Sequence, residues 1–182
     1  LDAAFRRVVA EPLGMTSVRY APLPAGTTVA PTEDDGLRGG VLTGEVHDEN
    51  ASVMDGVSAH AGLFGAAADL SRYLAAWLGL EAPFATREWL ERAVTDLSGG
   101  AGPARGLLWR LRDDSEWPVG DGVSARAFGH TGFTGTSLVV DPEGGWTCVL
   151  LTNRVHPRRG DATPIGRVRR AVHELVSSAF AG

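Results

Sequence analysis

Lysine is absent from this 182-residue chain; all 17 basic side chains are arginine. That excludes a lysine base, a Schiff-base lysine and a phosphate-binding Walker lysine. Cysteine is nearly absent as well. Cys148 stands alone, so neither an internal disulfide nor a multi-cysteine zinc site can form. Its place in the apolar run from Trp146 to Thr152 reads as a buried thiol. No apolar stretch approaches the roughly 18 residues of a membrane helix. Neither sign of charge forms a long run: 22 acidic residues outnumber the 17 basic ones for a net charge of −5. Such a surface does not fit a nucleic acid or an anionic membrane. A Gly-x-Ser-x-Gly elbow is also missing. Gly56-Val57-Ser58-Ala59-His60 comes nearest and fails at its last glycine, so an independent Ser-His-Asp triad is not expected.

What is present suits one compact domain, with 43% of residues apolar. Asp2 to Glu11 reads as a helix stopped by Pro12 and Gly14. Residues from Glu33 to Gly62, rich in turn formers, read as a long ordered segment. Leu70, Tyr73, Leu74, Trp77 and Leu78 recur at helical spacing, with Gly79 where a C′ residue belongs, and a second helix is expected from Thr86 to Leu97. Strands are expected over 107–112, 126–131, 136–141 and 146–153, with Pro142 to Gly145 as a hairpin turn. Ile165, Val168, Val172, Leu175, Val176 and Ala179 trace a closing amphipathic helix. The fold class is therefore α+β, an antiparallel sheet flanked by helices.

Three constellations can carry chemistry. His130-Thr131-Gly132-Phe133 ends a predicted strand, where flanking glycines admit a ligand and His and Thr offer donors to an oxygen anion; a glycine-marked strand bend is the plainer reading. His47, Asp48, Glu49 and His60 are metal-ligand types, but no His-x-His or His-Glu-x-x-His spacing joins them, and hydrogen-bonded loop anchors fit better. Arg154, Arg158 and Arg159 follow the last strand; they suit bidentate binding of a carboxylate, or simply a solvated loop.

Taken together, several segments resemble serine hydrolases of the penicillin-binding-protein and class C β-lactamase type. Glu11-Pro12-Leu13-Gly14-Met15-Thr16 looks like that family's "PLGM" element. Gly44 to Ala51, His60 to Gly65 and Ala68-Asp69-Leu70 are similar to a subset of it. Gly129-His130-Thr131-Gly132 resembles its third motif, and Leu150 to Arg154 with the last helix resembles its closing strand and covering helix. The resemblance implies acyl transfer by a serine that a lysine three residues later activates, assisted by Tyr-x-Asn, with no cofactor and no metal.

The same resemblance implies that His130, Thr131 and Gly132 face a substrate carboxylate, that the Phe133 backbone N–H serves as an oxyanion donor, and that Arg154 or Arg158 helps hold the carboxylate. His130 in place of lysine points toward peptidase or esterase chemistry. Ser-x-x-Lys is impossible without lysine, and neither Tyr20-Ala21-Pro22 nor Tyr73-Leu74-Ala75 is Tyr-x-Asn. Residues 1–182 are thus expected to be the C-terminal fragment of a β-lactamase-like domain, contributing the His-Thr-Gly strand and inactive by itself. The expected substrate is a small molecule or peptide with a carboxylate. An open sheet edge is expected to favour oligomerisation or pairing with the N-terminal part. The alternatives are a non-catalytic ligand-binding module of the same fold and a metal hydrolase built on His47, Asp48 and His60.

Overall fold

The computed structural model describes residues 1–81 and 84–181. Its elements run α1 (Asp2–Phe5), β1 (Arg19–Tyr20), β2 (Asp34–Asp35), β3 (Gly40–Val41), α2 (Glu49–Ser52), β4 (Leu63–Phe64), α3 (Ala67–Trp77), α4 (Arg87–Ala93), β5 (Arg110–Leu111), β6 (Phe128–Thr131), β7 (Ser137–Asp141), β8 (Trp146–Leu150) and α5 (Thr163–Phe180). The four-stranded antiparallel sheet β5-β6-β7-β8 is the centre of the molecule. Alternation along its strands divides two cores. Phe128 and Val140 join Leu74 and Trp109 under α3. Ala127, Val139, Trp146 and Cys148 join Trp117, Val119 and Val123 on the other face, against Val172 and Val176 of α5. This is the period-two pattern expected of a sheet covered on both sides.

Helix α3 follows the apolar period of its sequence and stops at Leu78, with Gly79 at φ +75°. The second expected helix is shorter than its pattern. Thr86 caps α4 by accepting from the Trp89 N–H, but the Ala93 carbonyl is taken by the Leu107 N–H at 2.9 Å, and the chain leaves the helix there. The first expected helix holds α geometry only to Phe5 and widens into a π-type turn over Arg6–Ala10. The strand expected over 107–112 pairs only at Arg110 and Leu111, and the last strand leaves the ladder after Leu150. Past that point the Arg154 N–H donates to Thr134 O and Thr152 Oγ1 donates to Gly135 O, so the chain follows the turn before β7.

Helix α5 keeps Ile165, Val172 and Val176 of the expected stripe against the core and departs from it elsewhere. Its buried side is Ile165, Arg169, His173 and Ser177, while Val168 and Leu175 are exposed. The polar residues go inward because each finds a partner. Arg169 Nη2 donates to the Gly132 and Thr136 carbonyls at 2.7 and 2.8 Å, the Ser137 hydroxyl lies 3.2 Å from His173 Nε2, and Ser177 donates to Gly122 O.

Candidate active site

Strand β6 carries the His-Thr-Gly segment to one end of the sheet. Strand β5 covers only its first half, pairing Arg110 with Gly129 and Leu111 with Phe128, so the β6 edge beyond Gly129 has no neighbouring strand among the described residues. Gly129 is required there: a Cβ would stand 2.2 Å from Leu138 O and 2.5 Å from the Trp117 ring. At the other end of β6 the chain turns tightly. Gly132 N–H donates to Thr136 O at 2.8 Å, and Gly135 N–H to Gly132 O at 3.1 Å. The buried Arg169 guanidinium braces the turn from behind, at the same two carbonyls. The Phe133 N–H makes no hydrogen bond among the described residues.

Across from β6 lies the loop 56–63. The Tyr20 hydroxyl donates to Ser58 O at 2.8 Å, and β1 pairs with β4 just beyond the loop. Gly62, at φ +116°, lets the loop close on itself, since a Cβ would meet Gly56 O at 2.1 Å. Behind it, Asp69 of α3 accepts from the Ser17 N–H and hydroxyl at 2.6 and 2.7 Å, tying β1's approach to the helix. The result is one cleft of about 320 Å³ lined by Tyr20, residues 58–63, His130, Thr131, Gly132 and residues 136–138.

His130 is exposed at this cleft. Partial loss of solvent, and then the positive charges of Arg110 and Arg105, hold its pKa below the ordinary 6.5, so the imidazole is neutral at pH 7. A neutral imidazole donates or accepts one proton and does not act as a fixed cation.

Of the expected site residues, His130, Thr131 and Gly132 line the cleft together. Phe133 begins the adjoining turn, with its ring stacked on His47 at 5.7 Å and under the Arg154 guanidinium at 4.3 Å. Arg154 Nε donates to Phe133 O at 2.6 Å and Nη1 to Gly160 O at 3.2 Å, so this arginine holds backbone. Arg158 is exposed. Neither arginine lines the cleft.

The histidines of the 33–62 segment do not converge. His47 Nε2 lies 2.9 Å from Glu33, whose carboxylate is kept ionised chiefly by Arg159. Arg159 bridges Glu33 and Glu49. His60 sits instead between Ser58 and Asp48: Ser58 Oγ is 2.7 Å from His60 Nδ1, and His60 Nε2 is 2.9 Å from Asp48 Oδ1. No group of three or more His, Cys, Asp or Glu side chains positioned to hold a metal occurs among the described residues. Hydrogen-bonded anchoring of this loop by His47, Asp48 and His60 was expected from the sequence; the extension of the chain to Ser58 was not. Its one legible signal was Asp48, which caps α2 by accepting from the Ala51 N–H at 2.8 Å.

Comparison with known proteins places these features in context. The family model described as Beta-lactamase matches residues 1–172. An N-acetylmuramyl-L-alanine amidase of Bacillus subtilis is 34% identical over 176 residues, and a putative D-alanyl-D-alanine carboxypeptidase of Escherichia coli is 32% identical over 177. In each case the match takes in 86% of this chain and 40% of the relative, so the chain spans well under half the length of these relatives. Among solved structures, a β-lactamase from Mycobacterium bovis superposes on the whole chain with TM-score 0.68 at 21% identity, over 57% of its own length. Simvastatin synthase from Aspergillus terreus superposes with TM-score 0.64 at 14% identity, over 51% of its length.

Proposed function

The chain belongs to the beta-lactamase family, and from that premise we propose that it forms the C-terminal portion, residues 1–182, of a serine acyl hydrolase domain acting on a carboxylate-bearing amide or ester. The observation that carries this reading is the juxtaposition at β6: an uncovered strand edge, His130, Thr131 and Gly132 in one cleft, and an unpartnered Phe133 N–H at the turn beside it. Unpaired backbone donors held rigidly at a cleft are what a developing oxyanion needs. In this reading His130, Thr131 and Gly132 receive the substrate carboxylate and the Phe133 N–H stabilises the tetrahedral intermediate. Arg154 contributes by fixing the Phe133 carbonyl, and Arg158, exposed outside the cleft, is not assigned to the carboxylate. The relatives' names, a D-alanyl-D-alanine carboxypeptidase and an N-acetylmuramyl-L-alanine amidase, favour a peptide or amide substrate over a lactam.

A chain without lysine holds no Ser-x-x-Lys, so the family's nucleophile and its activator belong to a segment outside these residues. Among the described residues strand β8 pairs only with β7, and Val168, Leu175 and Leu151 are exposed apolar side chains. Pairing with that N-terminal segment, or with a second copy, covers the edge. The expected result for the 182-residue chain alone, incubated with a labelled penicillin, is an unshifted intact mass. A stoichiometric penicilloyl adduct on any residue contradicts the reading.

A further inference from the structure

We propose that Ser58, His60 and Asp48 form a second acyl-accepting centre, in which Ser58 is the nucleophile, His60 its base and Asp48 the positioning residue, acting on small activated esters. It does not depend on the family nucleophile.

The direction of the hydrogen bonds carries the inference. The Ala51 N–H, and then His60, lower the Asp48 pKa from its ordinary value, so its carboxylate is an acceptor only. In the neutral imidazole, Nε2 must therefore carry the proton it donates to Asp48 at 2.9 Å. That leaves the Nδ1 lone pair, 2.7 Å from Ser58 Oγ, as acceptor for the serine hydroxyl proton. A hydroxyl aimed at a base whose far side is held by a carboxylate is the arrangement that activates serine, whichever ring nitrogen faces it.

The three groups are fixed by separate devices. Asp48 caps α2, the Ser58 carbonyl is held by the Tyr20 hydroxyl, and Gly62 closes the loop. Ser58 and His60 both line the 320 Å³ cleft, opposite His130 and Thr131. The backbone N–H groups of His60 and Ala61 make no hydrogen bond among the described residues, and both residues line the same cleft, where an ester oxygen would develop charge. The cleft is small and Ser58 is only 4% exposed, which restricts the centre to small acyl or phosphonyl groups.

The chemistry closes without a co-reactant beyond water. Ser58 Oγ bonds to the ester carbonyl carbon as its proton passes to His60 Nδ1, and His60 hands that proton to the leaving alcohol oxygen as the carbon–oxygen bond breaks. Water then adds to the acyl-serine, Ser58 Oγ leaves and recovers a proton through His60, and the carboxylic acid is released.

The test is a fluorophosphonate bearing no carboxylate, which phosphonylates an activated serine with loss of fluoride. The 182-residue chain is treated with it, digested, and mapped by mass spectrometry. The expected adduct lies on Ser58. It is expected to be lost in Ser58→Ala and slowed about 100-fold or more in His60→Ala. In Asp48→Asn, which keeps the α2 cap, it is expected to be slowed at least tenfold. No adduct on the wild-type chain, or an adduct on another residue, overturns the proposal, and mapping the wild type needs no variant to fold. A labelling rate unchanged in His60→Ala overturns it too. The penicillin experiment reads the family reading separately, because a serine only 4% exposed admits the small phosphonyl group and excludes the bulky penicilloyl group.

Discussion

Trp109→Ala is expected to destabilise the chain by about 3–5 kcal/mol, a large share of the roughly 5–15 kcal/mol that holds a domain together. Trp109 is 4% exposed and wedged between α3 and β6. Its ring meets Trp77 edge-on at 5.2 Å and 87°, Phe128 at 5.3 Å and 63°, and Tyr73 at 6.3 Å. The two edge-to-face contacts, with Trp77 and Phe128, add to area burial because they align opposite ends of the ring quadrupoles, while Tyr73 lies stacked at 27°. Removal leaves a cavity next to Phe128, two residues before His130, so the strand that carries the site loses its support. Urea unfolding followed by circular dichroism measures the loss as a fall in midpoint. A change under about 1 kcal/mol would mean that the site gap closes by collapse and that α3 does not brace β6.

The second large effect is a loss of stability on acidification. His173 is fully buried, and burial first, with the Arg169 charge adding to it, lowers its pKa from the ordinary 6.5 to about 4. The unfolded chain binds a proton at this residue near 6.5, and the folded chain only near 4. Between those values the unfolded state holds more protons, so stability is complete above 6.5 and falls as pH drops toward 4. The loss across the window is on the order of 3 kcal/mol. His130 shifts in the same direction, so the comparison is between the wild type and His173→Gln, unfolded in urea at pH 7 and pH 4.5. The variant is expected to be the less stable at pH 7, having lost the Ser137 contact, and to show a clearly smaller pH dependence. Equal pH dependence in the two proteins would remove His173 as the cause.

The ring partners of Trp109 and the helix that carries His173 show where sequence reading succeeds and fails. Tyr73 and Trp77 were legible because a helix that buries one face repeats its apolar residues at 3.6 spacing. Strands β6, β7 and β8 were legible because alternation reports two covered faces, and the turn at 142–145 marks their hairpin. His173 was not legible. Hydropathy assigns the buried side of α5 to its valines and leucine, whereas Arg169, His173 and Ser177 go inward on hydrogen bonds to residues 33 to 55 positions away. The two-residue pairings β1–β4 and β2–β3 are too short to show a period.

The His-Thr-Gly segment, which lines the cleft, was legible because its residue types and neighbouring glycines are contiguous. The extension of the His60–Asp48 anchor to Ser58 was missed for the opposite reason. A nucleophile-elbow pattern describes one way of presenting serine, while here a loop pinned by Tyr20 and an α2 cap bring the carboxylate in from ten residues upstream of Ser58. Arg154 was expected at a carboxylate and is found on backbone carbonyls, since sequence cannot reveal that the turn at Phe133 lies within its reach.

The measurement closest to the central claim is a backbone-amide NMR titration of the 182-residue chain with an N-acyl-D-alanyl-D-alanine peptide. The predicted result is a set of shifts concentrated at residues 130–133 and 58–63, with the peptide recovered uncleaved. Shifts confined to other surfaces, or cleavage of the peptide by this chain alone, would contradict it.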